Sequence, residues 1–259
     1  MKKIILSFLI ILLMAFGITG FASAKLTVIG YVDYQTSPSN TQTYLLIWDD
    51  SDNNGESVVW LDYTNYKRSW DNQQQWLDLL NGNGFTSVIT KITLNPGYTV
   101  DWGNNLWHLP DTVDGVFNMG YNGTTTGGYN ISSSELGHLF YKELGNRGAY
   151  TIDAKNETSF GLINRGPFEH IAPYEYWSGT TYKAETNPAR AWYFNFANGL
   201  QGVAPKVAEN TNINYPYALA LRKAKVTYIK PSGSIAPVTR PRDIGLSGKK
   251  AIDIRDLRK

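Results

Sequence analysis

The sequence predicts an α+β domain. Three features point there: short runs of β-branched and aromatic residues, two segments whose apolar residues recur at helical spacing, and many Gly- and Asn-rich connections between them.

The elements follow in chain order. Leu26–Tyr34 reads as a strand, and the polar, Pro-containing stretch 36–43 as a loop. Tyr44–Trp48 and Ser57–Tyr63 are two further strand-like runs. The residues between them, Asp49-Asp50-Ser51-Asp52-Asn53-Asn54-Gly55, have turn chemistry, so the pair reads as a hairpin. The period then changes. Ser69 caps a helix over Trp70–Leu80, with Gln73, Trp76, Leu77 and Leu80 on one face and Gly82 as its stop. Residues 95–130 are rich in Gly, Asn and Thr with short apolar islands. A second helix begins where Ser132 and Glu135 match a capping box. Leu136, Leu139, Phe140 and Leu144 form its apolar stripe, and Gly145 ends it. Tyr176–Ser178, Ala191–Phe196, Tyr217–Arg222 and Val226–Ile229 complete the set of short strands.

Residues 1–24 have the three parts of an export signal. Lys2 and Lys3 are the positive start, Ile4–Phe16 is the apolar run, and Ala22-Ser23-Ala24 is a small-residue cleavage site. The apolar run is shorter than the roughly 20 residues of a membrane span, so cleavage after Ala24 is expected, with an uncleaved anchor as the alternative because no charge follows until Lys25. The chain then falls into a domain over 25–229 and a tail over 230–259. The tail holds Pro231, Pro237 and Pro241 and reads as extended or disordered.

With no Cys, a disulfide framework is excluded, and stability must come from packing. Eight Trp, seventeen Tyr and ten Phe supply the apolar area. Charge is unevenly placed. Lys25–Arg222 carries 12 Lys and Arg against 19 Asp and Glu, a net −7, whereas Lys223–Lys259 carries 10 against 3, a net +7.

Five motifs occur in order: Trp107-His108-Leu109-Pro110, Ser134-Glu135-Leu136-Gly137-His138-Leu139-Phe140, Tyr176-Trp177-Ser178-Gly179-Thr180, Ala191-Trp192-Tyr193-Phe194 and Ala218-Leu219-Ala220-Leu221-Arg222. The series resembles the DUF1566 family, also called the Lcl C-terminal domain, over about Val58–Arg222. The resemblance implies a C-type-lectin-like fold, with two helices, short antiparallel sheets and long loops. The chain departs from the family at His108, where Arg is usual. It also departs from the calcium-binding lectins, because it lacks Cys and Glu185-Thr186-Asn187-Pro188 does not match their Glu-Pro-Asn signature.

Several residues are candidates for chemistry. Asp50, Asp52, Asn54 and Gly55 copy the first half of an EF-hand loop, whose twelfth position should be a bidentate Glu but is Leu61 here. A hairpin turn is therefore the reading, with a calcium-binding turn as the alternative, and no other cofactor is implied. His108, His138 and His170 lack the spacing of a metal signature. Trp177 and Trp192 are read as core rather than as exposed sugar platforms. No nucleophile elbow, zinc-helix motif or phosphate loop is present, and no catalytic residue is assigned. In the resembled fold, loops corresponding to residues 181–215 form the variable binding face. Here they hold Glu185, Asn187, Arg190, Asn198, Gln201, Lys206, Asn210 and Asn212, whose donors and acceptors suit hydroxyl-rich ligands.

The expected function is that of an exported, non-enzymatic binding domain, placed outside the cell, in the periplasm or on the cell surface. Its partner is carbohydrate or another extracellular polymer, not nucleic acid. The alternatives are a structural envelope or surface-assembly protein and a hydrolase.

Overall fold

The computed structural model describes residues 26–50, 57–83, 87–184, 189–207 and 215–230. Residues 1–24, expected as an export signal, residues 231–259 of the expected tail, Asp52, Asn54, Glu185, Asn187, Asn210 and Asn212 lie outside them.

Three strands carry unbroken apolar runs because both faces of their sheet are covered. They belong to a five-stranded antiparallel sheet. Its strands are β1 (Leu26–Ser37), β2 (Asn40–Asp49), β3 (Val58–Asn65), β4 (Ile89–Leu94) and β11 (Ala218–Lys223), in the order β11-β3-β2-β1-β4. Successive side chains point to opposite faces. Tyr44, Leu46, Val59, Leu61, Ala218 and Ala220 enter one core with Trp76, Leu77 and Leu80 of helix α1 (Trp70–Leu80). Leu45, Ile47, Val58, Trp60, Leu219 and Leu221 enter a second core with Leu136, Leu139, Phe140 and Leu144 of the second helical segment. Ala alternates with Leu in β11, with Ala on the α1 side and Leu on the α2 side.

Helix α1 and its cap match the expectation: Ser69 Oγ accepts the Asn72 amide, and Gly82, at φ +73°, ends the turn. The second helix differs. Its cap is Ser134, which accepts the Gly137 amide, and not Ser132. The physical reason is that Glu135 is engaged elsewhere. Its carboxylate accepts the Asp111 amide at 2.6 Å and its own amide donates to the Asp111 carbonyl, so no box closes on Ser132. Helix α2 (Glu135–His138) passes directly into a π-helical turn, Leu139–Glu143, before Gly145 turns the chain at φ +62°.

The expected loop over 36–43 is instead the tip of a ribbon. Ser37 pairs with Asn40, so Pro38 and Ser39 make the whole turn. The tip's side chains are polar and exposed because it projects beyond the core, while its backbone stays paired.

The segment 98–205 adds β5 (Tyr98–Asp101), β6 (Met119–Gly120), β7 (Gly127–Gly128), β8 (Glu175–Thr181), β9 (Arg190–Asn195) and β10 (Leu200–Pro205). A second sheet has the order β6-β7-β10-β9-β8, and β5 forms a ribbon with β12 (Lys225–Tyr228). The two larger sheets meet where Tyr176 bridges Tyr217 in parallel, just before β11. Trp177 and Trp192 are both 0% exposed, as the core reading expects, and each indole N–H is satisfied: Trp177 donates to the Arg68 carbonyl and Trp192 to Asp114. Among the described residues, no helix is long and apolar enough to cross a membrane.

Candidate functional site

The seam between the sheets opens on a cleft of about 380 Å³. Tyr174 and Tyr217 form its aromatic wall, stacked with ring centres 4.2 Å apart and planes 13° from parallel. Tyr66, 61% exposed, meets Tyr217 edge-on at 5.9 Å. Lys67, Glu175, Asn195 and Tyr215 supply the polar lining.

The wall is held by backbone. Tyr217 donates its amide to the Glu175 carbonyl at 2.8 Å, and Trp177 donates to the Tyr217 carbonyl at 3.0 Å. Glu175 opens β8 opposite Asn195 of β9, and Asn195 Nδ2 donates to Glu175 Oε1 at 3.2 Å. Burial pushes the Glu175 carboxyl above its ordinary range, with the Asn195 bond pulling the other way. Burial raises Tyr193 to about 12, and the neighbouring Glu175 charge adds to that rise. Burial also raises Tyr217, followed by the charges its Tyr174 and Tyr66 neighbours would carry. Tyr193 and Tyr217 therefore stay neutral at ordinary pH.

The residues expected on the 181–215 face are placed in different ways. Arg190 is exposed at the start of β9. Asn198 is a turn residue, its side chain accepting the Leu200 amide at 3.0 Å. Gln201 is buried and turns inward, donating to the Thr126 carbonyl at 2.8 Å. Lys206 stands over the Trp70 ring at 4.2 Å. Asp50 is exposed at the end of β2. The Tyr174–Tyr217 cleft was not among these expectations. Its walls come from segments far apart in the chain, and the one local signal was the run Tyr174-Glu175-Tyr176 beside Pro173.

The three histidines do not meet at one site, because each falls in its own carboxylate cluster: Asp49 with His138 and Glu143, Asp62 with Glu169 and His170, and His108 with Asp111 and Glu135. The last lies at a cleft of about 360 Å³ that Lys223 also lines. His108 Nδ1 lies 2.9 Å from the Leu109 carbonyl, which can only accept. In the second cluster Asp62 accepts from the Glu169 amide, the His170 amide and His170 Nδ1, at 3.0, 3.0 and 3.2 Å.

Comparison of the chain with protein-family models, with curated proteins and with solved structures finds no match.

Proposed function

We propose that this chain is an exported, non-enzymatic binding domain of C-type-lectin-like build, akin to the DUF1566 family, that takes carbohydrate or a similar hydroxyl-rich polymer. The observation that carries the reading is the Tyr174–Tyr217 stack, with Tyr174 exposed and Tyr217 half-buried, beside Glu175 and Asn195. Aromatic faces cover the C–H side of a sugar ring, while carboxylate and amide groups pair with its hydroxyls. The shape also favours binding over hydrolysis. Cleavage of a glycosidic bond takes two carboxyl groups flanking it, and Glu175 is the one carboxylate among the described residues of this cleft. A helix on each side of a central sheet supports the lectin-like build.

The test is a binding screen of residues 25–259 against neutral glucans, chitin fragments, peptidoglycan and glycosaminoglycans. At least one should bind, and Tyr174→Ala should weaken it about tenfold, ~1.4 kcal/mol, as expected of an aromatic anchor. Circular dichroism should stay unchanged. Absence of binding across the panel, or full binding by Tyr174→Ala, overturns the reading.

A further inference from the structure

Asp49, His138 and Glu143 meet on the α2 face of the central sheet, each offering one ligand atom within 4.8 Å of the other two. Strand alternation puts Asp49 there. Leu45 and Ile47 point into the α2 core, and the next inward position along β2 is Asp49, 1% exposed. Trp60, from the same core, donates its indole N–H to Asp49 Oδ2 at a long 3.4 Å.

The π-helical turn supplies the other two groups. In an α-helix, residue i+5 is rotated about 140° from residue i, which would turn Glu143 away from His138. Here the Leu144 amide donates to the Leu139 carbonyl, five residues back, at 2.9 Å. Glu143 Oε1 consequently lies 3.0 Å from His138 Nε2. Such turns are rare and gather at functional sites.

One buried oxygen of the cluster also lacks a partner among the described residues. The Glu143 side chain is 0% exposed, and its Oε2 has no hydrogen-bond partner among the described residues. A buried carboxylate oxygen with no partner is costly, and a cation bound beside Glu143 Oε2 would satisfy it.

We propose that Asp49, His138 and Glu143 form a binding site for a divalent first-row transition ion, zinc or manganese. The donor set fixes the class: one imidazole nitrogen with two carboxylate oxygens suits these ions, whereas calcium takes six to eight oxygens. The 3.0 Å between His138 and Glu143 is close to the edge of a tetrahedron with 2.0 Å bonds, about 3.3 Å. Bound there, the ion ties the end of β2 to the turn after α2. This site is independent of the tyrosine cleft, and neither proposal needs the other.

The test uses residues 25–259, dialysed against chelator and titrated separately with Zn²⁺, Mn²⁺ and Ca²⁺, reading stoichiometry by calorimetry and melting temperature. One equivalent of Zn²⁺ or Mn²⁺ should bind and raise the melting temperature, with no response to Ca²⁺. Glu143→Gln and His138→Gln should each weaken uptake at least tenfold, and His108→Gln should leave it intact. Failure of the wild-type protein to take up either ion stoichiometrically overturns the proposal. So does a Ca²⁺ response in their place, or uptake that survives both substitutions at this site.

Discussion

Two buried aspartates on the same face of the central sheet have opposite surroundings. Asp49 closes β2 opposite Val58. Asp62 sits four residues further along β3, about 13 Å away at strand spacing. Each has a histidine and a glutamate nearby. Asp62 receives two backbone amides and an imidazole N–H, and Thr64 next to it donates to the His170 carbonyl at 2.6 Å. It works as an anchor, pinning the 168–171 loop onto β3. The Asp49 cluster instead retains a carboxylate oxygen that no described group satisfies. Residue type alone does not separate an anchor from a ligand set; the count of donors does.

That contrast can be broken by mutation. The largest effect is expected at the anchor. Asp62→Ala strands two backbone amides and should cost about 3 kcal/mol, read as a lower denaturant midpoint at unchanged slope. At the other end of the face, Glu143→Gln in the presence of chelator should lie within about 1 kcal/mol of wild type, because it removes a carboxylate one of whose oxygens has no hydrogen-bond partner among the described residues. A loss there as large as at Asp62 would show that Glu143 is an anchor too. The smallest effect belongs to the cleft. The Glu175 carboxyl is raised in the folded state, so ionising it above the ordinary carboxylate range opposes folding. Glu175→Gln should therefore melt at or above wild type near pH 7. The difference should close as pH falls below the ordinary carboxylate value. A difference that grows on acidification would reverse the sign.

Much of the scaffold was legible from local pattern. Ser69, the Trp76-Leu77-Leu80 stripe and Gly82 marked α1 because propensity, capping and burial agree there. The hairpin of β2 and β3 was legible for the same reason. The second helix was displaced because a tertiary partner, Asp111, took the carboxylate that local chemistry assigned to Ser132. Strands β6 and β7 are two residues each, too short to carry a period. Site residues were hardest. Polar loop side chains such as Asn198 and Gln201 looked available for ligands, yet both serve their own backbone surroundings. Two signals were present and unread: Asp49 continues the inward alternation of Leu45 and Ile47, and Glu143 adjoins the apolar stripe of the second helix. A charge where periodicity demands an apolar residue marks a position whose burial needs explaining.

The pairing of β11 with β3 has a consequence for the order of events. Ala218 meets Asn65 across a gap of about 150 residues, and contacts that distant in sequence slow folding. During synthesis β1, β2 and β3 emerge early but cannot be flanked on the outer side until β11 has been made. Their apolar faces wait uncovered through that interval. The outer edge of β3 therefore stays open to wrong pairing until β11 arrives to cover it.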